Sequence, residues 1–60
     1  MTAHERVYAI VVELSHQYEV EVDGWQEEIT DAIIIDNGDD LTDGEYREIA
    51  EDFFIDWEEY

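Results

Sequence analysis

Sixty residues with nineteen carboxylates, two arginines and no lysine carry a net charge of −17, enough self-repulsion to work against any compact state. The length allows one domain, residues 1–60, near the lower limit at which a chain buries enough surface to fold unaided. The absence of cysteine excludes a disulfide framework and thiolate metal sites, and the charge sets the chain against both anionic lipid and direct nucleic-acid contact.

Disorder is the usual fate of highly charged chains, but it also requires low hydrophobicity. Here 45% of residues are apolar and 13% aromatic, so a folded domain is expected. A domain this small gains stability by pairing, which keeps a homodimer as an alternative. There is no basic leader before a long apolar run, and the longest apolar run, Val7 to Val12, is too short to span a bilayer. The expected setting is therefore cytoplasmic, without membrane.

Three segments emerge in chain order. Thr2 followed by Glu5 has the spacing of a capping box, in which each side chain satisfies a backbone N–H at a helix start. At 100° per residue, Val7, Tyr8, Ile10, Val11, Val12, Leu14 and Tyr18 gather on one side. Glu5, Arg6, Glu13, His16 and Gln17 fall opposite, and the pattern predicts a helix over about Ala3 to Gln17. The rival reading is a hairpin of residues 6–14 and 18–23, because Tyr18, Val20 and Val22 alternate with Glu19, Glu21 and Asp23. That alternative would make the fold α+β, an N-terminal hairpin followed by two helices.

The second segment starts near Asp23, a candidate cap with Gln26 in the reciprocal position, and runs through a stripe of Trp25, Ile29, Ala32 and Ile33. Asn37–Gly38 ends it, glycine supplying the left-handed residue that closes many helices. Thr42 and Glu45 form a second capping box. From there Tyr46, Ile49, Ala50, Phe53, Phe54, Trp57 and Tyr60 make a continuous stripe, predicting a helix over about Asp43 to Glu59. The expected fold is an all-α, three-helix domain.

Catalytic signals are weak, and no enzyme is expected. Ser15 stands beside His16 without a glycine-rich elbow or oxyanion loop, and adjacent helical residues point in different directions. Paired carboxylates are so abundant that no pair signals acid–base chemistry. Asp36 to Glu45 has the texture of half an EF-hand, but counting back from Glu45 puts Ile34 at the first ligand position and Leu41 where the turn glycine belongs. His4 and His16 lack zinc spacing. Neither metal nor cofactor is expected.

The charge itself is the remaining functional element. Carboxylates four apart on a helix stand about 6 Å from one another, within a factor of two of phosphate spacing along a nucleic-acid strand. Glu48, Asp52 and Asp56 form such a row, with Glu51 and Glu58 two turns apart beside it, then Glu59. Glu27, Glu28, Asp31 and Asp36 extend the rows from the second helix. Acids at the end of the third helix oppose its dipole, so local stability did not select them. Ile55 falls inside this acidic face, with Ile34 in a similar position on the second helix, and both are candidate apolar anchors for a partner. The plain alternative is a solvated face or salt adaptation.

The segment from Glu48 to Tyr60, EIAEDFFIDWEEY, resembles in texture the terminal helices of the phage restriction decoy, and the chain as a whole resembles the class of phage DNA-mimic proteins. That resemblance implies a non-enzymatic inhibitor, often dimeric, that occupies the groove of a basic DNA-binding protein such as a defence, repair or transcription enzyme. For a phage-encoded chain the cytoplasm would be the host's. The rival function is an acidic adaptor or antitoxin-like module that engages its partner through the aromatic stripe.

Overall fold

A computed structural model describes residues 1–58, and in them the chain forms three helices and no strand: α1 (Ala3–Gln17), α2 (Gln26–Asn37) and α3 (Asp43–Glu58). The fold is all-α, as the periodicity predicts. The place expected for Tyr60 on the third stripe lies outside the described residues.

Both capping boxes form. The Thr2 hydroxyl accepts the Glu5 N–H at 3.2 Å while the Glu5 carboxylate faces the Thr2 N–H. Thr42 and Glu45 repeat the exchange at 3.2 and 3.1 Å. Asp23, by contrast, caps nothing. Its expected role fails because residues 23–25 make a turn, closed by Trp25 N–H on the Val22 carbonyl at 2.8 Å, which delays α2 to Gln26. Gln26 then accepts the Gly24 N–H at 2.9 Å, and α2 begins without a side-chain cap.

α1 is the central helix. It packs against both α2 and α3, which scarcely meet each other. The charge distribution explains this arrangement: α1 contains only Glu5 and Glu13 as acids, together with Arg6 and two histidines, whereas α2 and α3 are acidic along their length. Interposing α1 keeps two mutually repelling helices apart. The core is Val7, Ile10, Val11 and Leu14 from α1, Ile29 and Ile33 from α2, Tyr46, Ala50 and Phe54 from α3, and Val22 from the connection. Thr30 is also fully buried, its hydroxyl returned to the Gln26 carbonyl at 2.7 Å. Two residues expected on the α2 stripe, Trp25 and Ala32, are exposed instead. Trp25 belongs to the turn and so escapes the helical rotation that would have carried it inward.

The alternation of residues 18–23 is real but does not make a strand. Tyr18 and Val20 are half-buried and Val22 is buried, while Glu19, Glu21 and Asp23 are exposed. The segment closes one end of the core, with the Tyr18 ring stacked on Phe54 at 6.3 Å between centroids. Its geometry begins in a Schellman motif: Val20 N–H donates to the Ser15 carbonyl at 2.9 Å and Glu19 N–H to the His16 carbonyl at 3.2 Å. The left-handed position of that motif, φ +56°, is held by Glu19 and not by glycine. Two penalties meet there, the steric cost of a Cβ at positive φ and a carboxylate at the negative end of a helix dipole. Glu19→Gly is expected to raise unfolding free energy by about 0.5–1 kcal/mol, after the entropy cost of glycine is subtracted. A urea titration followed by circular dichroism measures it, and a lower midpoint would contradict the assignment.

At the other end Gly38 takes φ +88° and donates to the Ile34 carbonyl at 2.7 Å. Tyr46 ties this connection down. Its hydroxyl donates to the Gly38 carbonyl at 2.8 Å and accepts from Leu41 N–H at 3.4 Å.

Candidate partner-binding surface

The few cationic side chains are committed to the domain's own seams. Arg6 donates to the Asp43 carboxylate at 2.6 Å and to the Leu41 carbonyl at 3.0 Å, with its guanidinium 5.7 Å from the Tyr46 ring centroid. Arg47 donates to Glu13 at 3.1 Å and Gln17 at 3.2 Å, and its Nε lies 3.4 Å from Glu51. Both arginines therefore join α1 to α3 or to the residues leading into it. His4 Nε2 lies 3.2 Å from Asp31, a contact that joins α1 to α2.

The sequence reading of α1 put Arg6, Glu13 and Gln17 opposite the apolar side, and Glu13 and Gln17 are exposed there. All three also border the α3 seam. Helical rotation separates apolar from polar faces but does not reveal that a neighbouring helix will supply Asp43 and Arg47 as partners.

The predicted surface residues among those described lie on α2 and α3. Glu48, Asp52 and Asp56 are exposed along α3, at the four-residue spacing expected of a row. Glu48 and Asp52, with Glu51, border a shallow cleft of about 430 Å³ whose floor includes Leu41 and Ile49. Glu45 also lines this cleft; its capping role had concealed it as a surface acid. Glu51 is only half-exposed, and its charge is offset by Arg47, so it contributes less outward field than its neighbours. Glu58 ends α3, and Glu59 lies outside the described residues.

On α2, Glu27, Glu28, Asp31 and Asp36 are all exposed. Glu27 and Asp31 border grooves made with the N-terminal turn of α1, separate from the α3 cleft that gathers Glu48 and Asp52. Of the two isoleucine anchors, Ile55 is 45% exposed among the α3 acids. Ile34 is half-buried and packs against the core, so the exposed member of the pair on α2 is its neighbour Ile35, at 81%. Ile34 is therefore reached only from the groove it lines with Ile35, which stands about one hundred degrees of helical rotation further out.

Ser15 is buried with its hydroxyl on the Val12 carbonyl at 2.7 Å, while His16 is exposed, so the two do not act as a nucleophile and base in this arrangement. Among the described residues no three His, Asp or Glu side chains are grouped to hold a metal ion. No described helix is long and apolar enough to cross a membrane.

Fold and surface together define a small acidic three-helix domain whose two arginines are paired along its own helix seams and whose acids on α2 and α3 are mostly exposed. The chain matches no protein-family model, no curated protein and no solved structure.

Proposed function

We propose that this domain is a non-enzymatic DNA-mimic inhibitor that occupies the basic nucleic-acid groove of a DNA-binding host protein, such as a defence, repair or transcription enzyme. The carrying observation is the segregation of charge. Arg6 and Arg47 are held on the domain's own acids, while Glu48, Asp52 and Asp56 stand exposed in a helical row without a cation within ion-pair distance among the described residues.

Such a row offers a basic groove what a phosphate strand offers, negative charges at regular short intervals on a rigid support. Rigidity matters because a mimic that must be ordered on binding loses affinity to the ordering entropy. Ile55 adds an aliphatic contact within the charged face, which supplies discrimination that charge alone lacks. The adaptor alternative would use the aromatic stripe, but Tyr46, Ala50 and Phe54 on that stripe are fully buried in the domain's own core.

The test is competition on a partner captured from lysate at low salt. Duplex DNA and the domain are expected to exclude each other, and capture is expected to weaken steeply as salt rises. Simultaneous binding of DNA and the domain would overturn the mimic reading.

A further inference from the structure

The three consecutive isoleucines of α2 cannot share a face, because each is rotated about 100° from the last. Ile33 is buried and Ile34 half-buried, but Ile35 is 81% exposed. β-Branched residues are also poor helix formers, so neither packing nor helix propensity explains Ile35.

Its surroundings extend the apolar surface. Ile35 and Ile34 line a groove of about 340 Å³ between α2 and the start of α1, which Ala3 and His4 close and Asp31 and Asp39 border. His4 also lines a second groove of about 340 Å³, where Tyr8 and Met1 are the apolar walls and Glu5 and Glu27 the acidic ones. The His4 ring stacks with Tyr8 at 6.5 Å and meets Asp31 at 3.2 Å, which makes it the ridge between two adjoining apolar channels with acidic rims.

We infer that this paired groove between α1 and α2 docks a cationic segment of the partner protein, with an aliphatic side chain seated on Ile34 and Ile35 and flanking lysines or arginines on the acidic rims. Charge complementarity selects this occupant. A second copy of the chain would bring another net charge of −17 to an already acidic rim, and a neutral apolar peptide would leave Asp39 and Glu27 on that rim without a countercharge. The inference rests on the proposed basic partner, and it separates recognition by shape and apolar contact here from the phosphate-like row on α3.

The probes are a short synthetic peptide of alternating lysine and leucine and a lysine–serine peptide of equal length and charge. Titrated into the isotope-labelled domain, the lysine–leucine peptide is expected to bind at least about tenfold more tightly, the effect of one buried aliphatic side chain. It should shift the amides of His4, Asp31, Ile34 and Ile35 first. Ile35→Ser is expected to abolish that preference while leaving lysine–serine binding and the thermal midpoint unchanged. Equal affinities, or a preference that survives Ile35→Ser, would overturn the inference. So would concentration-dependent self-association of the free domain that Ile35→Ser removes, which would make a second copy the occupant. These results leave the mimic reading standing, because that reading is tested separately, by mutual exclusion between DNA and domain on the captured partner.

Discussion

Phe54→Ala is expected to leave the domain largely unfolded at room temperature in low salt. Phe54 is fully buried, stacked on Tyr18 and met edge-on by Phe53 at 5.5 Å. Its removal takes away core volume and the contact that holds residues 18–22 over the end of the bundle. Truncating a buried phenylalanine costs about 3–5 kcal/mol, while a chain of this length has a total stability of about 3–9 kcal/mol. Self-repulsion among the carboxylates pulls this domain toward the lower figure. Far-ultraviolet circular dichroism should therefore report coil, with partial recovery of helix on adding salt, which screens the repulsion. Trp57→Ala is the control: the same stripe carries it, but it is 42% exposed and rests on Phe53 alone among the described ring contacts. Its loss is expected to cost about 1 kcal/mol. Equal damage from both substitutions would mean that the core is not centred where the three helices place it.

Replacing Glu48, Asp52 and Asp56 together by Gln, Asn and Asn is expected to stabilise the domain and disable it. The row contains two like-charged pairs at four-residue spacing, each unfavourable by about 0.2–0.5 kcal/mol, and Asp56 opposes the dipole of the last turn by about 0.3–1 kcal/mol. Neutralisation removes those penalties, so the chemical-denaturation midpoint should rise by an amount equivalent to about 1 kcal/mol. Partner binding should move the other way. Electrostatic steering accelerates association by about 10- to 1,000-fold, and most of that gain is expected to vanish for the triple variant at low salt. A biosensor with the captured partner separates the rates: loss concentrated in association supports a steering row. An unchanged association rate would indicate that these carboxylates are solvated bystanders.

Opposite effects on stability and binding are the signature of residues kept for a purpose other than folding. Glu19 differs from the α3 row in this respect. Its penalty arises from the backbone conformation of a helix terminus, and nothing in the structure explains why glutamate stands there instead of glycine.

Much of this protein was legible without coordinates where the determining interactions are local. The capping boxes Thr2–Glu5 and Thr42–Glu45 form within four residues of chain, and the helical periodicity of α1 and α3 depends only on rotation per residue. The starts of α1 and α3 follow from them, and the all-α fold is the preferred reading of the sequence, with the hairpin of residues 6–14 and 18–23 as its rival. The net charge and the spacing of Glu48, Asp52 and Asp56 are likewise properties of the linear chain.

Tertiary structure decided what depends on neighbours distant in sequence. Arg6 and Arg47 each find a carboxylate on another helix, which makes part of the polar side of α1 a seam with α3. Residues 18–22 alternate as a strand would, yet close the core as a helix-terminating turn and the coil after it, with no strand beside them among the described residues. Asp23 yields its capping place to a turn, and the exposed isoleucine of α2 is Ile35 because α2 packs with Ile33 in the core and Ile34 against it. Local geometry determines which residues form a helix; only the packing of one helix on another determines which way each helix is turned, and hence which carboxylates and isoleucines a partner can reach.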